Sequence, residues 1–109
     1  MDVRYDFGGD EYIFADFDIE MSLEINFKVL SICQEIERER IPGVIEVCPG
    51  NTSYLMHYRP EEIDPEKLVK ELRKLERQAD HITSISSRMV DIPVFYDDPW
   101  TKECARQFG

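Results

Sequence analysis

The sequence predicts an α+β fold. It reads as a two-layer ββαββα unit, with a four-stranded antiparallel sheet and two helices on one face, followed by an extra strand and helix. Three observations carry this reading. Apolar residues alternate with period two in paired stretches separated by glycine- and asparagine-rich turns. Two longer stretches switch to the helical period. The two kinds of stretch alternate along the chain, which suits one sheet covered on a single face.

Val3, Tyr5 and Phe7 alternate with Arg4 and Asp6, marking a first strand. Gly8-Gly9-Asp10-Glu11 is a tight turn, because glycine takes positive φ without steric cost. Tyr12 to Phe17 forms the second strand, with Ile13, Ala15 and Phe17 on one face. From about Met21 to Arg40 the period becomes helical: Ile25, Val29, Ile32, Cys33 and Ile36 make one stripe, which Leu23, Phe27 and Leu30 widen. Asp18 or Ser22 caps its start, and Pro42-Gly43 ends it. Val44 to Cys48 and Ser53 to Arg59 are strands three and four, joined through Pro49-Gly50-Asn51-Thr52. Asp64-Pro65 opens the second helix with an N-cap and a proline at its first position. Leu68, Leu72 and Leu75 are its buried stripe, and Glu66–Lys70 is an i,i+4 pair. Residues 79–87 are a connector. Arg88 to Tyr96 regains strand character, with Pro93 confining it to an edge or a bulge. A third helix begins near Trp100.

At 109 residues the chain has room for one main core. Its 13 basic and 23 acidic side chains leave a net charge of −10, which repels phosphate backbones and anionic lipid. The expectation is therefore neither nucleic acid nor membrane as a partner. Three widely spaced cysteines without a CxxC fit reduced thiols, and the first residues lack the features of a signal peptide. Cytoplasm is the expected compartment.

The search for chemistry yields no catalytic residue and no metal set. His57 sits among aromatics in a strand and His81 in the polar connector, and neither has a Cys or His at ligand spacing. Asp16, Asp18 and Glu20 lack the glycine and the distal glutamate of a calcium loop. Gly8-Gly9 leads into a strand and is no phosphate loop. Strand four, Tyr54-Leu55-Met56-His57-Tyr58, is apolar on both sides. If Leu55 points to the helices, then Tyr54, Met56 and Tyr58 form the outward, partner-binding face, since Tyr and Met are enriched where proteins meet. A strand buried on both faces is the alternative.

The order of several blocks resembles a known family. Gly9-Asp10 enters an aromatic strand, Pro42-Gly43-Val44 follows a long helix, and Pro49 precedes Ser53-Tyr54-Leu55-Met56-His57-Tyr58. Arg88 then runs into Asp91-Ile92-Pro93-Val94-Phe95-Tyr96. The chain resembles the N-terminal part of the KipI-like family, which includes the 5-oxoprolinase component also called allophanate hydrolase subunit 1. The same module occurs in the carboxyltransferase region of urea carboxylases, and Asp97-Asp98-Pro99-Trp100-Thr101 looks closer to that branch. The resemblance implies an N-terminal ββαββα domain over residues 1–87. Residues 88–109 would begin a second, cyclophilin-like barrel domain, truncated here. It implies a non-catalytic assembly domain of an enzyme acting on cyclic amide or urea-like substrates with a sister subunit. No cofactor would be bound by this chain, with ATP or biotin used in the full complex. The family also implies another role, as a regulator that binds and inhibits a sensor histidine kinase. A homodimer is a further possibility under either reading.

Overall fold

The structure is a computed structural model describing residues 2–17, 20–79 and 85–109. Strands β1 (Arg4–Gly8), β2 (Tyr12–Asp16), β3 (Val44–Pro49) and β4 (Ser53–Tyr58) form one antiparallel sheet in the order β1-β2-β4-β3. Helix α1 (Leu23–Glu39) links the two hairpins, and α2 (Pro65–Ala79) follows β4. Both helices lie on the same face of the sheet and share one core with it. The expected two-layer architecture is present.

Each boundary has a local cause. The Ser22 hydroxyl accepts from the Ile25 amide at 3.2 Å, satisfying one of the free N–H groups at the start of α1. Asp18, the other candidate cap, lies outside the described residues. Arg40 ends the helix in the left-handed region (φ 48°). Gly43 turns the chain at φ 92°, and a Cβ there would stand 2.7 Å from Ile63 Cγ2, so the site demands glycine on two grounds. The Asp64 carboxylate accepts from the Lys67 amide at 3.1 Å, opening α2 as its sequence requires.

The core follows from period matching. The inner face of the sheet contributes Val3, Ile13, Ala15, Val47, Tyr54, Met56 and Tyr58. Against it pack Ile25, Val29, Ile32, Cys33 and Ile36 of α1, with Leu68, Leu72, Leu75 and Ala79 of α2. Leu23 departs from the predicted stripe and is exposed: it precedes the buried Ile25 by two residues, which turns it about 200° around the helix from that side chain.

The orientation of β4 corrects the sequence reading. Tyr54, Met56 and Tyr58 point to the helices and are buried, whereas Leu55 faces out. The cause is register: Tyr54 stands opposite Ala15 and Met56 opposite Ile13, and β2 is firmly oriented by its own alternation. Directly paired residues share a face, so β4 inherits the parity of β2. Ala15 also makes room for its neighbours. Tyr5 and Tyr54 flank it on adjacent strands, and their hydroxyls meet at 3.3 Å.

The second correction concerns the extra strand. Residues 85–96 form no β-ladder, so Arg88–Tyr96 is not a strand in this structure. An isolated segment has no partner to satisfy its backbone groups, and alternation of side chains alone cannot supply one. The third helix does form, as α3 (Pro99–Phe108), with Asp98 as N-cap, accepting from the Thr101 amide at 2.9 Å. It buries none of its residues. Among the described residues no helix is long and apolar enough to cross a membrane.

Candidate docking face

The face of the sheet opposite the helices is built by the residues whose neighbours in sequence fill the core. Two rows run across all four strands: Asp6–Phe14–Leu55–Cys48 and Gly8–Tyr12–His57–Glu46. Tyr12, Phe14 and Leu55 stand side by side and are 38%, 37% and 38% exposed. Paired on adjacent strands, they bring their exposed sides together in one surface. The His57 ring stacks on Tyr12 with centroids 4.6 Å apart and planes 11° from parallel. His57 Nε2 lies 3.4 Å from Glu11 Oε2.

Carboxylates surround this stripe. Asp6 and Asp16 are each 3.0 Å from the Arg4 guanidinium, which therefore serves two acids at once. Glu46 lies on the same face as Cys48, and partial desolvation together with this carboxylate raises the thiol's pKa. The stripe is thus apolar at its centre and acidic at its edges.

A second exposed surface lies in residues 88–109. Met89, Ile92, Val94, Phe95 and Tyr96 are exposed, as are Trp100 and Phe108 on α3. On a ten-residue helix, Trp100, Cys104 and Phe108 fall at i, i+4 and i+8 and so line one side. Among the described residues nothing in the ββαββα core buries these side chains.

The polar groups within the core serve structure. Tyr5 donates to Glu76 Oε2 at 3.2 Å, which leaves its oxygen to accept from the Tyr54 hydroxyl. Arg73 lies 4.8 Å above the Tyr5 ring and donates to the Val3 carbonyl. Burial raises the pKa of both phenols, and the mutual contact raises that of Tyr54 further. Burial also pushes the Cys33 thiol up to about 12, with Glu37 adding to it. These shifts keep all three groups protonated.

The structure therefore keeps together the three residues that the sequence reading grouped, but turns them inward. Tyr54, Met56 and Tyr58 are core, and the outward set is Tyr12, Phe14, Leu55 and His57. Phe14 was legible in principle, since it sits between the inward Ile13 and Ala15. Placing Leu55 beside it required knowing that β2 pairs with β4. His81 lies outside the described residues. Among the described residues no group of three or more His, Cys, Asp or Glu stands close enough to hold a metal.

The chain is similar to known proteins in sequence and in fold. Urea amidolyase of Saccharomyces cerevisiae is 24% identical over 97% of this chain, and that of Lachancea kluyveri 27% identical over 97%. The chain spans only 6% of either relative. The crystal structure of Kluyveromyces lactis urea carboxylase superposes with a TM-score of 0.67 at 27% identity, covering 71% of this chain and 7% of that one. A conserved uncharacterized protein from Pyrococcus horikoshii gives a TM-score of 0.66 at 26% identity, covering 72% of this chain and 37% of that one. Residues 3–106 match the family described as carboxyltransferase domain, subdomain C and D. With its fold and nearly its whole length accounted for, the chain belongs to that carboxyltransferase-domain family.

Proposed function

We propose that this chain is a non-catalytic assembly domain of a carboxyltransferase that acts on urea or a related amide. The observation that carries the reading is the exposed apolar surface of residues 88–109 beside a ββαββα core that is already filled. Side chains such as Ile92, Val94, Tyr96 and Trp100 each forgo the free energy of burial while they stay in water, about 1.5–3 kcal/mol for full burial of one large apolar side chain. A second structural unit that covers them recovers it. In this reading residues 88–109 open that unit, and residues 1–87 hold it in place beside a sister subunit or a further domain. The likeness to urea amidolyases supports urea as the substrate class, and a cyclic amide such as 5-oxoproline is the close chemical variant.

Biotin is the cofactor that such a carboxyltransferase implies. The described residues do not fit it as a holder. Every buried side-chain nitrogen and oxygen among them already has a partner, which leaves none waiting inside the core for a ureido ring. In this reading biotin and ATP bind elsewhere in the assembly, and this domain contributes packing to it.

The test is to purify the polypeptide that carries this domain and measure ATP hydrolysis dependent on urea or 5-oxoproline, with and without Val94→Asp and Trp100→Asp. The expected result is amide-dependent turnover that falls with loss of assembly in both variants. Absence of amide-dependent turnover, or full turnover by a polypeptide lacking residues 2–79, refutes the reading. Inhibition of a histidine kinase's autophosphorylation by the same protein would replace it with the regulatory role.

A further inference from the structure

The feature left unused by this assembly role is the helix-free face of the sheet. Single exposed apolar residues are ordinary on a protein surface, but contiguous ones mark contact sites. Here Tyr12, Phe14, Leu55 and the His57 ring adjoin one another across two paired strands. An antiparallel sheet with one face on the core leaves its other face either polar or covered, and the centre of this one is not polar.

Charge decides what kind of surface covers it. Asp6, Glu11, Asp16 and Glu46 border the stripe, and Arg4, the cation at its edge, is engaged by both Asp6 and Asp16. Two copies stacked through this face would set these carboxylates against their own kind, on chains that each carry −10. An anionic lipid surface or nucleic acid would meet the same repulsion. Its place on the face of a sheet decides its shape, because a sheet face buries its apolar residues beneath a packed layer such as a helix.

We infer that the face formed by Tyr12, Phe14, Leu55 and His57 docks an amphipathic helix of another polypeptide, apolar at its centre and flanked by Lys or Arg. The inference rests on the assembly role for where such a helix is found, but not for the contact itself. Its test reads binding without turnover, so its failure is distinguishable from failure of the carboxyltransferase reading.

The probe is a synthetic amphipathic helix of Leu, Ala and Lys, about 20 residues long so that it is stably helical. Its control replaces every Lys with Glu. Titrating each into the isotopically labelled chain and following amide resonances shows where each binds. The expected result is saturable binding of the Lys helix, with shifts centred on Tyr12, Phe14, Leu55 and His57 and none on α2. Phe14→Ser combined with Leu55→Ser leaves the net charge unchanged and should weaken binding by about tenfold or more, the loss of central apolar anchors. Asp6→Lys with Glu46→Lys should weaken it as well. Should the double serine variant lose its far-UV signal, Leu55→Ser alone decides, because Leu55 is not part of the core. The inference is overturned by any of four results: no binding, equal binding of the Glu helix, affinity indifferent to the serine substitutions, or a dimer in sedimentation that those substitutions abolish.

Discussion

Replacing Met56 and Leu55 separately with alanine tests which way β4 faces, because the two neighbours have opposite fates in the structure. Met56 is fully buried, opposite Ile13 on one side and Val47 on the other, both also in the core. Truncating it removes buried methylenes and leaves a cavity that the helices above cannot close, which costs about 2–5 kcal/mol. Leu55 is 38% exposed and has water over it, so its truncation leaves no cavity and costs about 0.5–1 kcal/mol, a fraction of full burial. Domains of this size have roughly 5–15 kcal/mol of stability, so Met56→Ala should consume a large share of it. Each kcal/mol moves the melting temperature by about 4–8 °C in a small domain, so a difference of about 1–4.5 kcal/mol should separate the two variants by about 4 °C at the least. Urea denaturation followed by circular dichroism gives the same comparison as a shift in midpoint at constant slope. Equal losses, or a larger loss for Leu55→Ala, would refute the register and with it the outward face.

The hydroxyl chain of Tyr54, Tyr5 and Glu76 predicts an asymmetry. Tyr5→Phe strands the buried Tyr54 hydroxyl without its acceptor and should cost about 1–3 kcal/mol, whereas Tyr54→Phe removes a donor and should cost about 0.5–1.5 kcal/mol. Equal urea midpoints for the two variants would show that the chain is not polarised as described. Alkaline pH should destabilise the fold, because burial raises the pKa of Cys33, Tyr5 and Tyr54 and the folded state holds their protons. Below about pH 8.5, the ordinary thiol value, folded and unfolded chains are equally protonated and this stability is intact. It is lost as pH rises, first as the unfolded thiol ionises and then past about pH 10 as the unfolded phenols do. A urea midpoint that stays level through that range would contradict the burial of these groups.

Much of the fold was legible because most elements carry two agreeing signals. For α2, Asp64-Pro65 marks the start and Leu68, Leu72 and Leu75 the buried side, and both hold. For β2, Ile13 and Ala15 are flanked by the larger but outward Tyr12 and Phe14, and alternation alone settles which set is inside. β4 carries no such decision: its two parities, Tyr54-Met56-Tyr58 and Leu55-His57, are both partly apolar. Only pairing with β2 separates them, and pairing is a long-range fact that no local pattern contains. Residues 88–96 fail as a strand for a related reason. Val90, Ile92, Val94 and Tyr96 alternate as a strand should, but a ladder needs a second strand, and the four in the sheet leave this segment unpaired. The docking face followed β4 in being misplaced, since its residues were assigned from that strand's parity.

The chain's own cysteines report on the central claim, that the helix-free face and residues 88–109 are covered in the carboxyltransferase assembly. Cys48 lies on that face opposite Leu55, Cys104 lies on the Trp100 side of α3, and Cys33 is buried in the core. Alkylation of each thiol, followed by mass spectrometry, should be faster at the exposed Cys48 and Cys104 than at the buried Cys33 in the isolated chain, with the raised pKa of Cys48 placing it behind a free thiol. In the intact assembly the account predicts that Cys48 and Cys104 slow by about tenfold or more while Cys33 is unchanged. Labelling of Cys48 and Cys104 at the same rates in both settings would contradict it.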